Sequence, residues 1–311
     1  MRTLICGSLA YDTIMVFPDR FARHILPDQT HMLSVSFQIG EMRREWGGCA
    51  GNIAYNLKGL GGEPVVMAAL GHDGAPYRER FGKLAIATDG VRTIDDTFTA
   101  QAFIITDLDD NQITAFHPGA MNHSHTCRLA DVGGGGLAIV APDGKQGMLA
   151  HVDEFARAGI PFVFDPGQAL PLFDGPELVS MIERATYLTV NDYEPKLLSE
   201  RTGLSVPALA ERVDALVVTQ GGEGSTIHAG GTTYAIPVVA PQAVVDPTGC
   251  GDAFRAGLLY GIANGWDWER AGKLASALGA LKIASRGGQN HTVNRDSVAA
   301  LYSKAFGELP F

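Results

Sequence analysis

Short apolar runs alternate along the chain with segments whose apolar residues recur at helical spacing. The runs are rich in β-branched residues and end at Gly, Pro, Asp or Asn, a pattern typical of buried strands. They are TLICGSL, PVVMAAL, LAIVAP, PFVFDP, TYLTVND and ALVVTQG. Strand–helix alternation predicts a three-layer, doubly wound α/β fold with a mainly parallel sheet. Ligands of such sheets bind beyond the carboxyl ends of the strands.

Two segments break this rhythm and predict a second, smaller sheet. DTIMVFPDRFARHILPDQTHMLSVSFQIGEMRREW follows the first strand, and TFTAQAFIITDLDDNQITAFHPG comes before Asp131. Both alternate apolar and polar residues in places, and DLDDNQ predicts a hairpin turn. We expect an inserted β-sheet lid over the ligand site, the alternative being a pair of fixed edge hairpins. The expected division is residues 1–12, 41–94 and 119–311 for the α/β domain, and 13–40 and 95–118 for the lid.

Composition narrows the class of partner. The 311 residues carry a formal net charge of −10, which argues against nucleic acid and membrane surfaces as partners. The four cysteines are scattered without a CxxC pair, so we expect reduced thiols in a cytoplasmic protein. The first apolar run is too short for a signal peptide, and none in the chain is long enough to span a bilayer.

The stretch VVDPTGCGDAFRAGLLYG carries the first candidate chemistry. Gly249, Cys250 and Gly251 stand directly before Asp252 and an amphipathic helix. Small residues at a helix start let backbone N–H groups approach a ligand, and the helix dipole favours an anion there. The alternative is a glycine-rich helix start that Asp252 caps.

A second glycine-rich stretch, WGGCAGNIAYNLKGLGG, also precedes a helix. It places Gly48 before Asn52, whose amide can donate to and accept from a hydroxylated ligand. The alternative is an N-cap asparagine in a tight turn. The chain has no GxxxxGK[ST] phosphate loop. Asp12, which we expect to end the first strand, can accept two hydrogen bonds from a vicinal diol.

Two further motifs follow predicted strands. In NDYEP, Asn191 and Glu194 are three residues apart and can face one point in a first helical turn, which suits a hydrated Mg²⁺. In VVTQGGEGS, a strand runs into a glycine turn that is suited to contact phosphates through Thr219, Gly221 and Gly224.

Together and in this order, these motifs resemble the ribokinase-like (pfkB) carbohydrate kinase family over nearly the whole chain. Its two signatures are GGCAGNIAYNLKGLGG and DPTGCGDAFRAGLLYG, with NDYE and VTQGGEG between them. With AFHPGAM, they are most similar to the bacterial adenosine kinase branch. Cys49 and Pro247 stand where sugar kinases of the family more often have other residues.

The resemblance implies an ATP-dependent transfer of phosphate to the 5′-hydroxyl of adenosine, with Mg²⁺ as cofactor. It assigns Asp252 as the catalytic base, which we expect the helix field to keep ionised, and an anion hole to the N–H groups of Gly249, Cys250 and Gly251. It places the ribose hydroxyls against Asp12, Gly48 and Asn52. Our lid candidates for contact with the nucleobase are Phe37 and Phe116.

Four further candidate roles concern Gln168, Arg255, a cation site and the edges of the lid. Gln168 is a candidate contact to base or ribose, and Arg255 contacts phosphate or forms a surface salt bridge. Asp246 and Thr248, with the backbone of Ser285 and Gly287, match a site for a monovalent cation such as K⁺. Exposed lid edge strands are suited to pair in a homodimer.

Other functions compete with this reading. Another kinase of the family, acting on a sugar or a different nucleoside, is the nearest. A catalytically silent nucleoside-binding protein would not need Asp252 and its glycines. A metal-dependent hydrolase would rest on His117, His123, His125 and Cys127, whose spacing matches no zinc motif, so a polar loop is the preferred interpretation.

Overall fold

A computed structural model describes residues 1–25, 34–109 and 111–311 of the chain. Its strands, in chain order, are β1 (Arg2–Cys6), β2 (Ala10–Val16), β3 (Glu41–Gly47), β4 (Glu63–Gly71), β5 (Val91–Ile94), β6 (Ala100–Thr106), β7 (Gln112–His117), β8 (Leu137–Val140), β9 (Phe162–Phe164), β10 (Tyr187–Asn191), β11 (Ala215–Thr219), β12 (Ser225–Ala229) and β13 (Thr232–Ile236). Its α-helices are α1 (Cys49–Gly59), α2 (Ala75–Lys83), α3 (Leu129–Val132), α4 (Lys145–Ala158), α5 (Gly175–Arg184), α6 (Glu194–Thr202), α7 (Val206–Ala210), α8 (Cys250–Ala263), α9 (Trp268–Ile283) and α10 (Arg295–Phe306).

The large sheet has the strand order β13-β12-β11-β10-β9-β8-β1-β4-β5. All pairs from β11 to β5 are parallel, and β12 and β13 add an antiparallel edge. The six strands predicted from apolar runs all lie in this sheet, so the doubly wound, mainly parallel fold is confirmed. The strand order reverses at β1, between β4 and β8, and such a reversal opens a crevice at the carboxyl ends.

Helices cover both faces of the large sheet because its strands are apolar on both sides. Ile5 and Val66 point into a core shared with α1, α8 and α9. Their neighbours Leu4 and Val65 point into a second core shared with α4 and α5. This alternation holds the strand ends, and the polar residues that follow them, in fixed positions.

The small sheet has the order β3-β2-β6-β7, with β2 and β6 parallel and the outer pairs antiparallel. The expected inserted sheet is therefore confirmed, as is the hairpin between β6 and β7, although Asp110 of its turn and residues 26–33 lie outside the described residues. The strand β3 also belongs here, as the segment that ends in EMRREW predicts, although the expected division assigned residues 41–47 to the α/β domain. Its sequence, EMRREWG, is mostly charged and lacks the apolar alternation that marks a strand.

Within the described ranges, no helix combines the length and the apolar character that crossing a membrane requires.

Candidate active site

The start of α8 has the backbone expected of an anion site. Gly249 is its N-cap and adopts a left-handed φ of 78°, which the turn requires. A side chain there would also crowd Gly288, whose Cα would lie 3.1 Å from the added Cβ. The first N–H groups of a helix lack intrahelical acceptors. The N–H of Cys250 is an exception to the predicted set of three, because it donates to the carbonyl of Pro247 at 3.1 Å.

Asp252 lies in the first turn of α8 and receives a hydrogen bond from the Asn52 amide, with Nδ2 2.8 Å from Oδ2. Burial raises the pKa of Asp252, and the bond from Asn52 opposes this rise without cancelling it. We had expected the helix field to keep this carboxylate ionised. The net rise in its pKa moves it closer to a general base that works near neutral pH.

Asn52 is 4% exposed and is held by a chain of buried polar groups. Its Oδ1 accepts from Gln289 Nε2 at 3.2 Å, and the same nitrogen donates to the Tyr77 hydroxyl at 2.8 Å. Tyr77 in turn donates to the carbonyl of Gly47 at 2.7 Å. Neither Gln289 nor Tyr77 was a sequence candidate, since nothing in their local motifs distinguishes them from core residues.

Arg255 lies one turn after Asp252 and forms a buried, two-bonded ion pair with Asp165. Its NH2 is 2.8 Å from Asp165 Oδ1. Burial by itself would lower the pKa of Arg255, but Asp165 raises it, so the guanidinium keeps its charge. From the sequence, a surface salt bridge and a phosphate contact were the two candidate roles. The pair is buried instead, and a contact to phosphate remains a prediction. Asp165, directly after β9, was missed although its position at a strand end marked it.

Asp12 lies inside β2 in the small sheet, not at the end of the first strand as we had predicted. The chain turns sharply after β1, so the apolar run TLICGSLA spans two strands. Burial raises the pKa of Asp12 to about 6, and the nearby Asp252 carboxylate adds to the effect. The carboxylates of Asp12 and Asp252 are therefore close enough to repel each other. Gly47 leaves room for its carboxylate, since a Cβ there would collide with Asp12.

The register of the small sheet places Phe116 on the Asp12 face. Asp12 pairs with Ala102, and Ala102 pairs with Phe116. Directly paired residues project to the same side, so all three share a face. Phe116 is 51% exposed there. The other lid candidate, Phe37, packs on Phe17 and Phe21 with ring centroids 4.8 and 5.1 Å apart, within a cluster of lid aromatics.

A pocket of about 410 Å³ opens beside the first turn of α8. Three of the predicted nucleotide contacts line it, Thr219, Gly221 and Gly224, together with Cys250 and Gly251. Its remaining wall is mostly apolar, including Phe254 and Ile283. An apolar pocket that ends at exposed helix N–H groups suits a flat ring system joined to phosphates.

Asn191 and Glu194 meet as predicted, but they bond to each other. Asn191 donates its backbone N–H and its Nδ2 to the Glu194 carboxylate, each at 2.8 Å. Its Oδ1 accepts from the N–H groups of Tyr193 and Glu194 at the start of α6. Burial raises the pKa of Glu194, which is 7% exposed and lies close to Asp165 and Arg255.

The groups expected to coordinate a monovalent cation instead form hydrogen bonds with other groups of the protein. The carboxylate of Asp246 accepts from the N–H groups of Thr248 and Gly287 at 2.9 and 2.8 Å. The carbonyls of Asp246 and Ser285 accept from the ammonium of Lys282. Lys282 was not among the residues predicted for this site.

The remaining candidates lie apart from this arrangement or serve the fold. Gln168 is exposed in the 3₁₀ helix Gly167–Leu172. Cys127 is buried and donates to the carbonyl of Ala68 at 3.0 Å. The histidines at 117, 123 and 125 do not assemble with it, and no group of three or more His, Cys, Asp or Glu side chains in the described residues could hold a metal ion.

Comparisons with known proteins agree with this geometry. A model described as pfkB family carbohydrate kinase matches residues 9–295. The structure of Burkholderia thailandensis nucleoside kinase in complex with inosine is 53% identical, covers 99% of both chains and superposes with a TM-score of 0.90. Its complex described as ADP-inosine is 55% identical, with a TM-score of 0.88 over 99% of this chain and 97% of that one. A curated nucleoside kinase of Methanocaldococcus jannaschii is 30% identical over 273 residues, or 87% of this chain and 90% of that protein.

Proposed function

Because the chain belongs to the pfkB family of carbohydrate kinases and is an ATP-dependent kinase, we propose that it phosphorylates purine nucleosides, with adenosine as its principal acceptor. ATP and adenosine then give ADP and AMP. One observation carries the proposal: Asp252, at the start of α8, acts on the pKa of Asp12 in the small sheet, and its neighbour Gly251 lines the pocket that also holds Thr219 and Gly221. An acceptor and a nucleotide can therefore meet at one carboxylate. The relatives that bind inosine support a purine nucleoside in the first position.

Asp252 acts as the general base. It accepts the proton of the 5′-hydroxyl while that oxygen attacks the γ-phosphorus, and the bond to the β,γ-bridging oxygen breaks to release ADP. Its raised pKa makes it a stronger base than an exposed aspartate. The amide of Asn52 fixes the orientation of the carboxylate and keeps part of its charge stabilised.

The start of α8 stabilises the charge that develops on the transferred phosphoryl group. Gly249 and Gly251 allow their N–H groups to approach its oxygens without reorganisation. Arg255 adds a permanent positive charge one turn away. Its hydrogen bonds to Asp165 hold the guanidinium in place, so that it does not pair with Asp252. Such a site lowers the barrier by positioning and electrostatics, which is what phosphoryl transfer requires.

The donor set near the phosphates fits Mg²⁺ held through water. Glu194 is a buried carboxylate near Arg255 and Asp165, and oxygen ligands are those that Mg²⁺ prefers. The Oδ1 of Asn191 is occupied by two backbone donors, so Asn191 positions Glu194 and does not bind the ion directly. The metal would neutralise phosphate charge, its usual contribution in kinases.

The small sheet selects the acceptor. Asp12 accepts hydrogen bonds from the two ribose hydroxyls. Phe116, two strands away on the same face, covers the nucleobase. A free sugar would leave the exposed Phe116 ring without a partner. Sugar phosphorylation is therefore the alternative that the acceptor assay must separate.

An ATP-to-ADP assay over nucleosides and sugars at equal concentration tests the proposal. We expect adenosine to give the highest kcat/KM, with inosine and guanosine next and ribose and fructose far lower. A preference for either sugar would refute the nucleoside assignment and leave the kinase assignment standing. If neither nucleosides nor sugars are phosphorylated, the result would indicate a binding protein.

We also propose that two copies pair through the lid sheet. Among the described residues, no further strand pairs with the edge strands β3 and β7. The face opposite Asp12 exposes Met42 by 70%, Phe103 by 40% and Ile113 by 41%. These side chains form an apolar surface that water disfavours. Sedimentation of wild type and Phe103→Glu tests this: the wild type should be a dimer and the variant a monomer.

A further inference from the structure

Lys282 is a buried lysine behind the start of α8. It lies near the end of α9 and has no exposed surface. Its ammonium donates to the carbonyl of Asp246 at 2.8 Å and to the carbonyl of Ser285 at 2.9 Å. Lysine is almost never fully buried unless its charge is matched, so this position calls for a reason.

The two carbonyls belong to the segments that build the anion site. Asp246 begins the turn that ends at Gly249, and Ser285 follows α9 in the segment that leads to Gly288. The Asp246 carboxylate ties the same segments together from its other side by accepting from Gly287 N–H at 2.8 Å. The ammonium is therefore a positive charge at the junction of these two segments, which backbone carbonyls and the Asp246 carboxylate surround.

Burial lowers the pKa of Lys282, while Cys250 and Asp246 act in the opposite direction. Two carbonyl acceptors and a neighbouring carboxylate favour the charged form, as a ring of oxygens favours a bound metal cation. K⁺ and an ammonium group are both stabilised by carbonyl oxygens. Here the Lys282 ammonium already occupies the carbonyls of Asp246 and Ser285.

We propose that Lys282 is a built-in cation that positions the Gly249–Gly251 turn, so that phosphoryl transfer by this enzyme requires no added monovalent metal ion. Lys282 touches neither reactant and acts through the turn. Since Gly249 and Gly288 lie in contact, loss of the link between their segments displaces the N–H groups that bind the phosphoryl oxygens. This inference rests on the proposed transfer chemistry, but not on adenosine as the acceptor.

The first measurement uses the wild-type enzyme. Initial rates with MgATP are compared in KCl and in tetramethylammonium chloride at equal ionic strength, so that screening is the same in both. We expect rates that agree within about twofold, the spread that ordinary salt effects produce. Activation by K⁺ of about tenfold or more, at the scale of a lost transition-state contact, would overturn the proposal.

The second measurement removes the ammonium. Lys282→Ala should lose about 10²-fold in kcat, the scale of one displaced oxyanion donor, with a much smaller change in acceptor KM. K⁺ or NH₄⁺ should restore activity to Lys282→Ala, because the truncated side chain leaves room for an ion. Lys282→Met fills that room with an apolar chain, so neither ion should restore it. Lys273→Met removes another ammonium from α9, at its surface, and should behave as wild type.

The outcomes separate this inference from the proposed acceptor. If wild type prefers a sugar, the same cation series is run with that sugar and the inference is decided independently. A folded Lys282→Ala that no cation restores would refute the built-in cation. If Lys282→Ala does not fold, the wild-type comparison of K⁺ with tetramethylammonium decides alone.

Discussion

Asn52 and Asp252 stand 200 residues apart in sequence and are joined by a hydrogen bond of 2.8 Å between Nδ2 and Oδ2. Each lies in the first turn of its helix, α1 or α8, and each helix follows a glycine-rich stretch. The bond therefore brings the two sequence signatures into one site. It also gives the catalytic carboxylate a fixed orientation and an opposing influence on its pKa.

Replacement of Asp252 by asparagine tests the general base. Asp252→Asn keeps the shape but cannot accept the hydroxyl proton, so kcat should fall by about 10²–10⁴-fold. Acceptor and ATP dissociation constants, measured by calorimetry, should change little. Near-wild-type turnover in the variant would mean that another group takes the proton.

The Asn52 amide holds the pKa of Asp252 below the value that burial alone would give. Asn52→Leu should therefore shift the acid limb of the kcat/KM profile to higher pH, by about one pH unit. Asn264→Leu, at the far end of α8, serves as the control and should leave the limb in place. An unshifted limb in Asn52→Leu would show that the bond does not act on the catalytic group.

Asp12 should control acceptor affinity and its pH dependence. Charge-assisted bonds to the ribose diol contribute about 1.5–3 kcal/mol each, so Asp12→Ala should weaken nucleoside binding at least about tenfold and leave ATP binding intact. The carboxylate form predominates above its pKa of about 6, so wild-type affinity should rise as pH increases through that value. Calorimetry at several pH values checks this. The 2′,3′-dideoxynucleoside should bind both proteins alike, and a mutant that still prefers the ribose form would exclude the role.

Phe116 should set the preference for a nucleoside over a sugar. A ring contact contributes about 0.5–1.5 kcal/mol beyond burial, so Phe116→Ala should narrow the ratio of adenosine to ribose kcat/KM by about three- to tenfold. Phe103 pairs with Thr13 and Ala115 on the opposite face of the same sheet. Phe103→Ala should therefore leave this ratio unchanged. Equal effects of the two variants would contradict the assignment of faces.

Asp143, in the loop that follows β8, should make stability fall as pH rises. Burial raises its pKa to about 7, and its Oδ2 has no hydrogen-bond partner among the described residues. An unfolded chain ionises this group near pH 4, so the native state loses relative stability between that pH and 7. Asp143→Asn removes the effect and should gain at least about 1 kcal/mol relative to wild type between pH 5 and pH 8 in urea unfolding. The exposed Asp89→Asn should show no such gain.

The sequence predicted the large sheet well because its strands are buried on both faces and read as continuous apolar runs. It missed β12 and β13, whose stretch STIHAGGTTYAI is short, partly polar and easily taken for loop. It also placed Asp12 at the end of the first strand, since the turn between β1 and β2 interrupts no apolar pattern. Local pattern specifies an element but not which sheet it joins.

The glycines and polar residues of the two signatures predicted where the candidate site lies. The groups that hold it could not be found in this way, because Gln289, Asp165 and Lys282 reach it through tertiary contacts. Lys282 nevertheless has one local signal: it interrupts the apolar stretch ALGALKIAS, where an exposed helix face would show several charges.

The row formed by Asp12, Ala102 and Phe116 sets a fixed distance between the group that binds the ribose and the ring that covers the base. Strands in a sheet lie about 4.8 Å apart, so two steps from Asp12 to Phe116 span about 10 Å. That length is fixed by strand count and not by side-chain choice. A slip of one residue in the pairing of β7 would turn Phe116 to the other face, and the contact to the base would be lost. An acceptor of a different length thus calls for a different number of strands, whereas changes of base within that length need only new side chains along the row.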